Sequence, residues 1–391
     1  MASMGIRETL VSPSARAAEA RTWLTLDKAS DYVCGAIEVV AEPDGWSRPR
    51  RFLASQTRAL CSCMAWHPGL FRSMAQTTAG VCLRFATDAT EIALAVRLDD
   101  ESRGTARVLG PIDKGRRRRP HDGVSVVVDG RPVGCVMPEP LGRVLPWIEQ
   151  SMGLELATFS LRDASVDPSD EIVAIPGLGK RREVCVWLPC LRGCVVRELW
   201  TNGTFVEPMA KRAKLLVLGD SIGQGFCSDD PAQTWAALLS ERLSRELCNQ
   251  SVGGQVFQPT MITDDAVDAV SHVIIELGLN YRWERCAPSQ IIADTRAFVL
   301  GIRRTYPNAR LCILTPTWCD ESVAPSLYPQ GLITAMSALE DAAKDCEACF
   351  VSGLELLDHD DRMLADGEHP NAAGHGQIAK RLFEVLDEKG W

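Results

Sequence analysis

The first half of the chain alternates apolar and polar residues over short stretches. Val124, Val126 and Val128 alternate with other residues and lead into Asp129-Gly130, a favoured hairpin turn, with a returning strand at 133–136. Comparable alternation recurs at residues 81–86, 92–98, 184–188 and 195–199. Short strands separated by turn signals predict an antiparallel sandwich or jelly roll.

The pattern changes after residues 201–203. Apolar runs lie at 213–218, 273–277, 311–314 and 349–351, with a weaker run before Asn249. Between them, apolar residues recur at helical spacing in 235–243, 291–299, 330–343 and 373–386. Buried strands that alternate with helices predict a parallel sheet covered on both faces. The right-handed crossover rule favours a flavodoxin-like three-layer α/β/α arrangement of five strands.

Length and charge divide the chain at the same place. The chain has 391 residues, enough for two domains. Residues 1–210 carry a net charge of +1 and residues 211–391 a net charge of −10. We therefore expect a β-sandwich or jelly-roll accessory domain over 1–210 and an α/β domain over 211–391.

Composition narrows the possible classes of protein. No apolar run reaches the length of about 18 residues that a membrane helix needs, and residues 1–23 lack the apolar core of a signal peptide. The 15 cysteines are then expected to be reduced, mostly buried thiols. The acidic balance disfavours nucleic acid as a partner. We expect a cytoplasmic protein without a membrane partner, and its oligomeric state stays open.

Four consecutive arginines, Arg116–Arg119, depart from this acidic balance. Such a run is most often a solvated loop between strands. A second reading is that it attracts an anionic substrate to a nearby site.

Polar residues follow the predicted parallel strands. Gly219-Asp220-Ser221 follows the first strand, residues 249–254 the second, and Gly278-Leu279-Asn280 the third, while Asp366-Gly367-Glu368-His369 follows the last. The carboxyl ends of parallel strands meet at one edge of a sheet, so these groups should come together. A serine hydroxyl needs an adjacent base to act as a nucleophile, which His369 would supply and Asp366 would orient.

Each of these residues also has an ordinary structural reading. Ser221 could cap a helix, Asn280 could stabilise its own loop, and Asp366 could cap the helix that begins near Asn371. It is the joint occurrence of all the groups, in this order at strand ends, that favours catalysis.

The same blocks resemble the SGNH, or GDSL-type, hydrolase family. Leu218–Ser221 matches its Ser block, Gly254 its Gly block, Gly278-x-Asn280 its Asn block and Asp366-x-x-His369 its His block. The resemblance implies a triad of Ser221, His369 and Asp366. It also implies an oxyanion hole made by the backbone N–H groups of Ser221 and Gly254 and the side-chain amide of Asn280. The adjacent Gly253 competes with Gly254 for this role.

The β-rich half extends the resemblance. Gly80–Phe85, His121–Val126 and Glu183–Pro189 resemble strands of the jelly-roll domain that precedes the hydrolase in carbohydrate esterase family two. Three aromatic residues near the expected site, Tyr281, Trp283 and Trp318, are candidates for binding a sugar or aryl group.

We therefore expect a serine esterase that removes a short acyl group, foremost acetyl, from a hydroxylated substrate such as a carbohydrate. The alternative is an acyltransferase that passes the acyl group from Ser221 to an acceptor alcohol. A non-catalytic binding protein is disfavoured by the complete set of blocks.

No cofactor or metal is expected. His359 lies in an acidic loop without a second histidine at ligand spacing. The pairs Cys61/Cys63 and Cys346/Cys349 would need further zinc ligands from distant segments, which the sequence does not suggest, and Cys346 and Cys349 favour core packing. Cys227 could line the pocket, and we do not expect it to be a nucleophile.

Overall fold

The computed structural model describes residues 22–25, 29–62, 68–89, 91–112, 123–140, 155–160, 180–201 and 203–391. Arg116–Arg119, Cys63 and His121 lie outside these ranges, so the predictions made for them stay untested.

Two antiparallel sheets occupy the first half. The seven-stranded sheet has the order β3-β4-β12-β6-β10-β9, with β1 beside β12, and the six-stranded sheet has the order β13-β5-β11-β7-β8, with β2 beside β5. The strands are β1 Thr22–Thr25, β2 Val33–Cys34, β3 Glu38–Ala41, β4 Ser47–Arg50, β5 Cys82–Thr87, β6 Glu91–Leu98, β7 Val124–Val128, β8 Arg131–Val136, β9 Glu139–Pro140, β10 Glu155–Ser160, β11 Arg182–Trp187, β12 Cys194–Thr201 and β13 Val206–Pro208.

The two sheets share one apolar core. Leu83 and Phe85 of β5 are in the same buried cluster as Leu94 and Val96 of β6. The alternation of apolar residues therefore fills the space between two sheets, as a sandwich requires. The finer expectation, jelly-roll connectivity, stays a prediction.

Four helices among the described residues of this half were not predicted from the sequence pattern. They are α1 Ala29–Tyr32, α2 Ala54–Ser62, α3 Pro68–Ala75 and α4 Arg103–Ile112. Helix α3 is the one that matters for the site, because its Phe71 and Met74 are buried in a cluster with Phe226 and Val252 of the second half.

A five-stranded parallel sheet forms the second half, as predicted. Its strands are β14 Lys214–Gly219, β15 Glu246–Asn249, β16 Val270–Glu276, β17 Arg310–Leu314 and β18 Cys349–Val351, in the order β15-β14-β16-β17-β18. This is the 2-1-3-4-5 order of flavodoxin-like folds.

Helices cover both faces of this sheet. Its helices are α5 Ser221–Gln224, α6 Trp235–Arg242, α7 Pro288–Thr305, α8 Pro329–Asp345 and α9 Ala372–Glu388. Leu215 of β14 packs in one cluster with Leu382 of α9, while Leu216 packs in another with Phe298 of α7. Successive residues of a strand face opposite sides, so this separation establishes three layers.

The two halves are packed together through apolar surface. Cys82 and Trp187 of the six-stranded sheet share a buried cluster with Leu215 and Leu247 of the parallel sheet. Strand β5 is buried along its whole length, because one face meets the other antiparallel sheet and the other face meets the second half.

Within the residues that the structure describes, no helix is long and apolar enough to cross a membrane.

Candidate active site

Ser221 is held at the point where β14 ends and α5 begins. The helix is capped by Asp220, whose carboxylate accepts the N–H of Ile222 at 3.0 Å. Ser221 is therefore not needed as the cap. Its side chain instead contacts His369, and the residue is only 4% exposed.

Ser221, His369 and Asp366 form a continuous hydrogen-bonded chain. The Oγ of Ser221 lies 2.9 Å from Nε2 of His369, and Nδ1 of His369 lies 2.8 Å from Oδ2 of Asp366. The other carboxylate oxygen of Asp366 accepts the N–H groups of Glu368 at 3.0 Å and His369 at 2.8 Å. The cap of α9 is Asn371, so Asp366 does not serve that helix.

Electrostatics favour a charged Asp366 beside a basic imidazole. Burial alone would raise the pKa of Asp366, but the hydrogen bonds and charge of His369 outweigh it and lower the pKa to about 2. Burial alone would lower the pKa of His369, but the carboxylate of Asp366, with smaller contributions from Glu368 and Asp220, raises it. Such a histidine is a stronger base than an ordinary imidazole.

Two backbone N–H groups of the Ser and Gly blocks, those of Ser221 and Gly254, have no acceptor among the described residues. By contrast, the N–H of Gly253 donates to Oε1 of Gln224 at 2.8 Å. Gly254 has a φ of +77°, a left-handed conformation that favours glycine. The structure thus distinguishes the two glycines, and Gly254 is the one with an N–H available to a ligand.

Asn280 is brought to the same edge by β16. Its amide nitrogen donates to Oδ2 of Asp220 and to the carbonyl of Gln255, both at 3.1 Å. Both acceptors lie outside the loop of Asn280, whereas an Asx turn would bond the side chain to that loop's own backbone. The amide therefore lies against the residue that precedes Ser221.

Two buried carboxyl groups, those of Asp220 and Glu276, lie at the turn that carries Ser221. The sequence analysis did not identify Glu276. Glu276, at the end of β16, lies 3.4 Å from the N–H of Asp220 and 3.1 Å from the N–H of Gly223. Burial raises the pKa of both Asp220 and Glu276, and their mutual repulsion adds to this for Glu276. One of the two can thus hold a proton near neutral pH. The only sequence signal was a glutamate at the end of an apolar run.

Arg51, from the first half, donates hydrogen bonds to residues 249–254, which we call the glycine loop. Its guanidinium is 1% exposed and donates to the carbonyls of Asn249 at 2.6 Å and Ser251 at 3.1 Å, as well as to Met74 and Thr77. Burial lowers its pKa to about 10. No sequence pattern marks this arginine, because its partners lie 198 and 200 residues away.

Arg282 is a second buried guanidinium next to the His block. It is 0% exposed, lies 3.6 Å from Oε2 of Glu368, and contacts Glu321 at 3.2 Å and the carbonyl of Ala324. Trp283 donates its indole N–H to the same Glu368 oxygen at 2.9 Å. Glu368, between Asp366 and His369, is thereby tied to the loop after β16, and Arg282 connects it to the loop after β17.

The three aromatic candidates have different surroundings. Tyr281 is 2% exposed and stacks on Phe257 inside the core, and this burial raises its pKa. Trp283 is half-buried against Arg282. Trp318 is half-buried and stacks on the exposed His359, with ring centroids 5.3 Å apart. Trp283 and Trp318 thus offer accessible surface, whereas Tyr281 belongs to the core.

His375, Cys346 and Cys349 have structural surroundings. His375 is buried and accepts the N–H of Trp235 at 3.3 Å, and burial lowers its pKa to about 4. Cys346 lies 3.1 Å from the carbonyl of Ala342, and Cys349 pairs in register with Cys312 of the neighbouring strand.

Comparison with known proteins adds the family. Residues 217–377 match the model of the GDSL-like lipase/acylhydrolase family. A search of curated protein sequences finds no match.

Three solved structures illustrate the likeness in fold. A salicylyl-acyltransferase from a tetracycline biosynthetic pathway is 17% identical, with a TM-score of 0.65 over 96% of this chain and 99% of that one. An acetyl xylan esterase from Butyrivibrio proteoclasticus is 12% identical, with a TM-score of 0.54 over 94% and 98%. A family two carbohydrate esterase from Clostridium thermocellum, in complex with cellohexaose, is 17% identical, with a TM-score of 0.51 over 80% and 92%.

The match spans the Ser, Gly, Asn and His blocks, so the resemblance expected from the sequence is confirmed. Residues 217–377 are similar to the GDSL-like lipase/acylhydrolase family, and the chain is an enzyme that acts on carboxylic esters.

Proposed function

We propose that the protein is a serine esterase that removes a short acyl group, foremost acetyl, from a hydroxylated substrate such as a carbohydrate. The observation that carries the proposal is the chain of contacts from Ser221 Oγ to His369 Nε2, at 2.9 Å, and from His369 Nδ1 to Asp366 Oδ2, at 2.8 Å. These distances suit transfer of the serine proton to the imidazole.

In this mechanism Nδ1–H of His369 donates a hydrogen bond to the carboxylate of Asp366, which leaves Nε2 as the acceptor for the hydroxyl of Ser221. Ser221 attacks the ester carbonyl while His369 takes its proton, and the protonated His369 then gives that proton to the departing alcohol. Water, activated by the same nitrogen, releases the acid from the acyl-enzyme.

The negative oxygen of the tetrahedral intermediate would be bound by the N–H groups of Ser221 and Gly254 and by the amide of Asn280. The two N–H groups have no acceptor within the described part of the chain, so they can turn to the substrate without breaking another bond. Asn280 would exchange one of its 3.1 Å bonds for the oxyanion. Donors of this kind typically contribute about 10²–10³-fold to kcat each.

The substrate class rests on the neighbouring surface and on the relatives. Trp318 and Trp283 present half-buried rings on which a sugar or aryl group can stack. Two of the similar structures are named as carbohydrate or acetyl xylan esterases. We further propose that residues 1–210 are an accessory domain and 211–391 the catalytic domain. Arg51, reaching across to the glycine loop, would couple the two.

The alternative, an acyltransferase, has one specific observation in its favour. The salicylyl-acyltransferase matches almost the full length of both chains, with a TM-score of 0.65. The two activities share the acyl-enzyme on Ser221 and differ in whether water or an acceptor alcohol receives the acyl group.

A panel of acyl donors and acceptors distinguishes them. Aryl acetates, longer aryl esters and acetylated oligosaccharides are offered with and without acceptor alcohols, and Ser221→Ala serves as the blank. Release of free acid at a rate that acceptors do not change supports the esterase. Transfer that outcompetes hydrolysis with any acceptor supports the acyltransferase, and equal rates with the blank overturn both.

A further inference from the structure

Cys227 is placed beside the triad by the short helix that carries Ser221. Helix α5 is capped at its C-terminal end by Gly225, which has a φ of +103°. Cys227 follows two residues later in a left-handed conformation, with a φ of +64°. The intervening Phe226 stacks on the ring of His369, with centroids 5.7 Å apart. This tight turn brings the chain back toward His369, so the thiol of Cys227 lies close to His369 and Asp366.

Three side chains with metal-ligand atoms meet there. The Sγ of Cys227, a carboxylate oxygen of Asp366 and a ring nitrogen of His369 all lie within 4.8 Å of one another. Elsewhere in the part of the chain that the structure describes, no other group of three such residues is found. Thiolate, imidazole and carboxylate are all common ligands of Zn²⁺.

The spacing of the three ligand atoms can be compared with that around zinc. Bond lengths of about 2.0–2.3 Å around a tetrahedral Zn²⁺ place its ligand atoms roughly 3.3–3.8 Å apart. Atoms that now lie within 4.8 Å of one another would have to approach by at most about 1.5 Å to form three bonds, which leaves a fourth position for water. The thiolate and the carboxylate together balance the charge of the ion, and the buried Glu368 nearby adds to the negative potential.

We propose that Cys227, Asp366 and His369 form a binding site for Zn²⁺, and that occupation of this site reversibly switches the enzyme off. Binding releases the thiol proton of Cys227 to solvent. The ion takes a nitrogen and a carboxylate that the triad needs, so Ser221 loses its base. The inhibition rests on the proposed function, whereas the binding does not.

The test measures binding and activity separately. Four proteins are compared: wild type, Cys227→Ser, Ser221→Ala and Cys286→Ser, a control at another half-buried cysteine. Zn²⁺ binding is measured by calorimetry, and Co²⁺ binding is measured by the thiolate charge-transfer absorption of the cobalt complex. Aryl acetate hydrolysis is followed in parallel, and a chelator is then added. Thermal unfolding establishes that each variant is folded.

We expect one Zn²⁺ per chain in wild type, Ser221→Ala and Cys286→Ser, together with inhibition of the active proteins that the chelator reverses. Cys227→Ser should hydrolyse esters normally without metal. Its affinity for Zn²⁺ should fall by at least the roughly 10–100-fold that loss of an outer-shell partner costs.

Equal zinc binding or equal inhibition in Cys227→Ser would overturn the site, as would an absent thiolate–cobalt band in wild type. Zinc binding that depends on Cys227, in a protein that hydrolyses no ester, would leave the site standing and contradict the proposed function instead.

Discussion

Replacing Asp366 with asparagine tests the orientation of the catalytic histidine. The carbonyl oxygen of the new amide can keep both backbone N–H groups that Asp366 now accepts, at 2.8 and 3.0 Å. Its NH₂ group then faces Nδ1 of His369, at the present 2.8 Å. Nδ1 must become an acceptor, so the ring proton moves to Nε2 and points at Ser221.

The expected loss is large because the wrong tautomer cannot accept the serine proton. The same substitution in a serine-protease triad lowers kcat by about 10⁴-fold. At about 1.36 kcal/mol per factor of ten, this corresponds to roughly 5.4 kcal/mol of transition-state stabilisation. The fold should be little affected, since the backbone contacts are kept.

The direction in which the pH profile of Asp366→Asn moves is an independent test. The negative charge of Asp366 raises the pKa of His369, and only the neutral imidazole acts as a base. Removing that charge lowers the pKa of His369, so the acid limb of kcat/KM should move to lower pH.

The assay is hydrolysis of an aryl acetate between pH 4 and 9, corrected for spontaneous hydrolysis, beside thermal unfolding. The exposed Asp361→Asn is the matched control and should behave as wild type. A loss of less than tenfold in a folded Asp366→Asn, or an acid limb that moves to higher pH, would refute the reasoning.

Three further substitutions test the surroundings. Arg51→Met leaves the buried carbonyls of the glycine loop unpaired. We expect the free energy of unfolding, measured by urea denaturation, to fall by about 1–3 kcal/mol for each carbonyl oxygen left without a donor. Arg51→Lys should be intermediate. An unchanged denaturation midpoint would contradict this. Glu368→Gln removes a charge that raises the pKa of His369, so the acid limb of kcat/KM should move to lower pH; movement to higher pH contradicts it. Trp318→Ala should raise KM severalfold at unchanged Tm, and an unchanged KM excludes Trp318 from the substrate surface.

The parallel half was predictable because its signals are local. Most of its strands are apolar runs, and the Ser and Asn blocks follow closely on two of them, so the order of residues alone assigns Ser221 and Asn280 to the sheet edge. The sequence could not distinguish Gly253 from Gly254, because the difference lies in a hydrogen bond to Gln224.

The features that sequence reasoning missed depend on distant partners. Arg51 becomes meaningful only when the fold brings it to Asn249 and Ser251. Tyr281 is a pocket candidate as an aromatic residue near the expected site, yet its ring lies in the core against Phe257. Helix α3 has no long amphipathic pattern and is stabilised by its contacts with the second half.

The central claim is that Ser221 is the nucleophile, and steady-state hydrolysis of an aryl acetate by Ser221→Ala tests it most directly. The alanine removes only one hydroxyl, so a folded variant with an intact His369–Asp366 contact is expected. The account predicts a fall in kcat of the order of 10⁶-fold, as for loss of the serine in other serine hydrolases. A folded Ser221→Ala whose kcat stays within tenfold of wild type would contradict it.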